Sequence, residues 1–106
     1  MTDWPDDADG DVLRRMARHG FDFARPWTID FNVDFAHWPP STEALSLLIR
    51  AFPNAVVYEP SAEGEGYVQF QVNALVAYAL VTRIQAEVSA WMAPFGGVCE
   101  SWGVLH

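Results

Sequence analysis

The clearest periodicity in the chain spans residues 27–35, where Trp27, Ile29, Phe31, Val33 and Phe35 alternate with Thr28, Asp30, Asn32 and Asp34. Successive side chains of a strand point to opposite faces, so this spacing predicts a strand with one buried face. His37, Trp38, Pro39 and Pro40 break it. Ser41 then stands as an N-cap for a helix that carries Ala44, Leu45, Leu48 and Phe52 inward and ends at Pro53-Asn54. Residues 55–59 and 67–73 read as the strands of a hairpin, with Val68, Phe70 and Val72 inward and a polar, glycine-containing loop between them. From about Leu75 to Met92 the spacing predicts a longer helix with Tyr78, Leu80, Ile84, Val88 and Trp91 on its apolar stripe. Arg83 and Glu87 form an exposed i,i+4 pair on it. Pro94 and Gly96-Gly97 stop that helix, and residues 98–104 form a last strand.

Upstream, residues 9–19 read as a short helix with Val12, Leu13, Met16 and Ala17 on one face and Gly20 as its stop. The order is a helix followed by β-α-β-β-α-β, which is the split βαβ pattern of an α+β, ferredoxin-like sandwich: a four-stranded antiparallel sheet with two helices on one face and the first and third strands central. Asp30, Asn32 and Asp34 then share the opposite face with Gln69 and Gln71, and the N-terminal helix is expected to cover part of it.

A chain of 106 residues fits one core. Residues 1–8 are read as a flexible acidic leader and residues 9–106 as a single domain. The formal charge of −8, from 14 acidic residues against six arginines, disfavours phosphate backbones and anionic lipid and favours a basic macromolecule as partner. Arg14, Arg15 and Arg18 cluster beside His19, but at the end of a helix that opens on acids they match its dipole. The single Cys99 excludes an internal disulfide and a multi-cysteine zinc site, which fits a reducing, cytoplasmic setting. No apolar run approaches the roughly 18 residues of a membrane span, and the N-terminal residues lack the basic region of an export signal.

Several phrases carry a family likeness: Asp9-Gly10-Asp11-Val12-Leu13 with His19-Gly20, Arg25-Pro26 ahead of the alternating strand, and Gly96-Gly97 followed by Glu100-Ser101-Trp102-Gly103. Across residues 9–104 the chain resembles the family of the regulator of ribonuclease E activity B, which are small acidic bacterial proteins. Where that family typically has an Asp-Gly pair before the Trp, Glu100-Ser101 stands here. The resemblance implies a ferredoxin-like fold and a non-enzymatic role, in which the protein binds ribonuclease E at its basic, largely disordered scaffold half and restrains RNA cleavage.

Catalytic and metal readings fail on spacing. Asp30, Asn32 and Asp34 imitate the opening of a calcium loop, but Phe35 sits where glycine must turn the chain and Ser41 where a bidentate Glu belongs. As a carboxylate pair, Asp30 and Asp34 would lie about 13 Å apart along a strand rising roughly 3.3 Å per residue, too far for glycoside hydrolysis. Cys99 has no orienting third residue to join it with His19, His37 or His106, and no cofactor motif is present. Direct RNA binding is disfavoured too, because the central strands offer Asp30, Asn32, Asp34, Gln69 and Gln71 where base-stacking aromatics would be needed.

The expected function is therefore protein binding. The candidate partner-binding residues are Asp30, Asp34, Trp38, Glu100 and Trp102: carboxylates to draw a basic or arginine-rich segment, tryptophans to anchor it. Alternation leaves two faces open for the last strand, either Val98, Glu100, Trp102 and Val104 inward or Cys99, Ser101, Gly103 and Leu105 inward. A homodimer through the sheet face or an edge strand is also compatible. The alternative function is a small-molecule sensor with a pocket between helices and sheet near Trp27, Trp91 and Trp102.

Overall fold

The computed structural model describes residues 4–104. Its elements are α1 (Ala8–Arg18), β1 (Pro26–Phe35), α2 (Thr42–Ala51), β2 (Val56–Tyr58), β3 (Tyr67–Leu75), α3 (Tyr78–Met92) and β4 (Gly97–Val104), with a 3-10 turn at Ala93–Phe95. They form an α+β fold around one four-stranded antiparallel sheet of order β2-β3-β1-β4, so the first and third strands are central, as expected.

Local chemistry sets the helix ends. The Asp7 carboxylate accepts the Gly10 N–H at 2.8 Å and opens α1, and Ser41 Oγ accepts the Ala44 N–H at 3.1 Å and opens α2. Past α1, Gly20 takes φ +76°, a left-handed conformation that costs glycine nothing, and donates its N–H to the Ala17 carbonyl. Of the segment read as a leader, residues 1–3 lie outside the described residues; the Trp4 carbonyl accepts from Arg14 Nη1 at 2.8 Å, and its ring lies 5.7 Å from that of Phe23.

In the sheet, Phe31 sits opposite Phe70, Val33 opposite Val68 and Ile29 opposite Val72. With Leu48, Val81, Val88 and Met92 these side chains, apart from the partly buried Val72, make a core from which water is excluded. Burying each aliphatic or aromatic side chain contributes about 1.5–3 kcal/mol, so this row is the main source of the fold's stability.

Three expectations are corrected. First, β3 runs on to Leu75, which pairs with Pro26, so α3 starts only at Tyr78. Its buried spine is Val81, Gln85, Val88 and Met92, while Trp91 stays 42% exposed. The apolar stripe is misread by a fraction of a turn because a polar residue, Gln85, occupies the spine. Gln85 Nε2 is satisfied there by the Val81 carbonyl at 3.0 Å and the Asp9 carboxylate at 3.3 Å.

Second, α1 packs against α3 on the helix side of the sheet and does not cover the face of Asp30 and Asp34. Leu13 and Met16 of α1 join the core there, and Asp9 finds two donors, Gln85 and Trp102. Third, β4 is bulged. Ser101 pairs with Asn32 and Cys99 with Val33, which leaves Glu100 as an extra residue. The bulge puts the two halves of the strand out of phase. Cys99 before it and Trp102 and Val104 after it therefore all face the helices, so Trp102 and Val104 of the first expected set and Cys99 of the second point inward, while Leu105 lies outside the described residues.

Candidate functional site

The face of the sheet away from the helices is built of polar rungs. Gln69 Nε2 donates to Asn32 Oδ1 at 3.1 Å, Asn32 Nδ2 donates to Ser101 Oγ at 3.0 Å, and Gln71 Nε2 donates to Asp30 Oδ1 at 2.7 Å. Such cross-strand pairs stabilise a sheet face without apolar cover. They also leave Asp30 committed to a neighbour within the sheet.

The character changes towards the far end of β1. Tyr58, Tyr67, Asp34 and Val98 occupy one row across the four strands. The rings of Tyr58 and Tyr67 are stacked 5.0 Å apart, and Tyr58 and Val98 are exposed. Partial burial, with the nearby charges of Glu100 and Glu65, pushes the Asp34 carboxyl above its ordinary range. Glu100, displaced by the bulge, thus belongs to the same acidic group as Asp34. Tyr58, Tyr67, Glu59, Glu63 and Glu65 further line a surface depression of about 290 Å³ at the hairpin end.

The candidate residues therefore divide. Asp34 and Glu100 come together, and Glu65 joins them. Asp30 lies on the same face but is tied to Gln71. Trp38 is half-buried: its Nε1 donates to Glu59 Oε1 at 3.1 Å, and its ring lies so close over Gly66 that a Cβ there would collide with it. Trp102 lies on the helix side, opposite Phe31, and donates from Nε1 to Asp9 Oδ1 at 2.9 Å.

The tyrosine pair was not among the candidates, because it depends on the register of the hairpin. In a hairpin that pairs Val56 with Gln69, residues 58 and 67 must face each other. Among the described residues no group of His, Cys, Asp and Glu could hold a metal ion, and no helix is long and apolar enough to cross a membrane. The interior between helices and sheet, where a sensor pocket was the alternative expectation, is filled by Phe31, Phe70, Leu48, Val81 and Met92.

A family model described as regulator of ribonuclease activity B matches residues 6–104. The chain belongs to this family. A search of curated proteins and a search of solved structures each found no match. The RraB family is one of regulators of ribonuclease activity, which places the chain in that class.

The phrases through which this chain resembles other RraB proteins have structural explanations. Asp9 joins α1 to α3 and β4. Gly10 is needed because a Cβ would fall on the Pro5 carbonyl oxygen, and Gly97 because one would press on Met92 and Phe35. Trp102 completes the Asp9 contact. In this RraB chain Asp9, Gly10, Gly97 and Trp102 thus hold the fold.

Proposed function

We propose that this RraB chain is a non-enzymatic cytoplasmic protein that inhibits a ribonuclease of the ribonuclease E type by binding an arginine-rich segment of it. The binding surface is the uncovered sheet face at the end of β1, with Asp34, Glu65 and Glu100 supplying charge and Tyr58 and Tyr67 supplying stacking surface. The reading is carried by one observation: three carboxylates stand beside a stacked aromatic pair on a sheet face that none of the described helices covers, in a chain of net charge −8. Guanidinium groups are held well by carboxylates and by aromatic faces together.

The test is calorimetric titration of the whole protein with the basic scaffold segment of ribonuclease E at about 50 and 200 mM salt, where screening lengths differ about twofold. Affinity is expected to fall with salt. The D34N/E65Q/E100Q variant is expected to lose at least about tenfold in Kd, the equivalent of about 1.4 kcal/mol. A complex that is indifferent to both changes would sink the reading.

A further inference from the structure

Away from the acidic sheet face, a groove runs between the N-terminal segment, α1, the residues after Gly20 and the first turn of α3. It measures about 900 Å³, and its lining is mostly apolar. Trp4 and Phe23 form an aromatic wall with rings 5.7 Å apart, and Phe23 in turn meets Phe21 edge-on at 4.8 Å. Val76 adds aliphatic surface. Ala17, Ala77 and Ala79 keep the rim low, so side chains from outside can enter.

The charged side chains that line this groove are Arg14 and Arg18. The carboxylates at and before α1 are engaged: Asp7 with the Gly10 N–H and the Tyr78 hydroxyl, Asp9 with Trp102 and Gln85, and Asp6 and Asp11 with Arg14. Arg14 is also held by the Trp4 carbonyl. Arg18 lines the groove, is exposed, and makes no ion pair among the described residues. The first turn of α3 carries no acidic residue of its own, and the Asp7 carboxylate accepts from its Tyr78 hydroxyl.

We propose that this groove is a second docking surface, which takes a segment of a protein partner made of an aromatic or leucine anchor flanked by carboxylates. The anchor enters between Trp4, Phe23 and Val76, and a flanking carboxylate meets Arg18. A basic segment is disfavoured here by the unpaired Arg18, so the groove and the sheet face select opposite chemistries. The protein would then join two different partners, or two segments of one, and this inference does not depend on what the sheet face binds.

A random dodecapeptide phage library panned against the whole protein provides the test. Recovered peptides are then measured by fluorescence anisotropy against wild type, R18E, R18Q, A17W and D34N/E65Q/E100Q, with each fold checked by circular dichroism. Recovered peptides should combine Phe, Trp or Leu with Asp or Glu. They should bind R18E and A17W at least about tenfold more weakly, bind R18Q with an intermediate loss, and bind the sheet-face variant as they bind wild type. R18Q leaves the side-chain stem in place, so it gives the answer if R18E does not fold. Recovery of basic peptides only, peptides insensitive to both Arg18 variants and to A17W, or an empty selection would overturn the proposal. So would a groove that binds oleate but no peptide, since the ligand class would then be an amphiphilic carboxylate rather than a protein segment.

Discussion

The indole N–H of Trp102 donates to Oδ1 of Asp9 at 2.9 Å, closing a span of 93 residues. The same carboxylate accepts from Gln85 on α3. One side chain from the first helix thus ties together the last helix and the last strand, and it does so on the half-buried side of β4, where an unmatched donor would be costly.

Asp9→Ala removes the acceptor from both donors and is expected to destabilise the fold by about 1–3 kcal/mol. Asp9→Asn keeps one acceptor oxygen and should lose less. Urea unfolding of D9A, W102F and the double variant forms a cycle whose coupling should be at least about 0.5 kcal/mol. Strictly additive losses would show that the contact contributes nothing.

How much of this could be read from sequence depends on where one period held along a whole element. The alternation of Ile29, Phe31 and Val33 and the caps at Ser41 and Gly20 led directly to β1, α2 and the end of α1, and so to the α+β architecture. The misreadings sit where a local rule was interrupted by a long-range contact. Gln85 breaks the stripe of α3 because Asp9, 76 residues away, satisfies it. Glu100 breaks the alternation of β4 because β1 pairs past it. For the candidate site, the alternation of β1 put Asp34 on the face away from the helices, while the sides taken by Glu100 and Trp102 depended on the phase of a bulged strand that no local pattern encodes.

Two glycines of β4 should respond differently to a single methyl group. A Cβ on Gly97 would lie 2.8 Å from the Met92 Cβ and 2.9 Å from the Phe35 ring, whereas one on Gly103 meets nothing within 4 Å. Gly97→Ala should therefore cost about 1–3 kcal/mol through overpacking. Gly103→Ala should stay within about 0.5 kcal/mol of wild type. Equal thermal midpoints for the two variants would contradict the packing at the start of β4.

Cys99 should be inert while the protein is folded. Burial, reinforced by the charges of Asp34, Asp9 and Glu100, pushes its thiol up to about 12, and only 2% of the residue is exposed. Because the thiolate is the reacting species, labelling by a disulfide reagent at pH 8 should be at least roughly a thousandfold slower than in the unfolded chain. It should accelerate with urea in step with unfolding. Rapid labelling in native buffer would mean that β4 opens locally.

Two carboxylates should give the stability profile opposite slopes in acid. Asp34 has a folded-state pKa above the ordinary 3.8, through partial burial and then the charges of Glu100 and Glu65. Between 3.8 and that raised value the folded chain holds more protons than the unfolded one, so this group's contribution to stability falls as pH rises and remains unfavourable at neutrality. Asp34→Asn should therefore stabilise the protein at pH 7, by only about a few tenths of a kcal/mol because the group is largely solvated. The gain should vanish below the unfolded-state value. Asp7 behaves in reverse. The Tyr78 hydroxyl and then the Gly10 N–H lower its pKa, so its contribution is present above 3.8 and is lost as pH falls through the lowered folded value. Asp7→Asn retains a capping oxygen but not the charge, so it should be less stable than wild type at pH 7 and converge with it in acid. Urea midpoints for both variants from pH 2 to 7 provide the measurement. If D34N lost stability at neutral pH, Asp34 would have to be held by a favourable partner, and the sheet face would no longer present it as an unmatched charge.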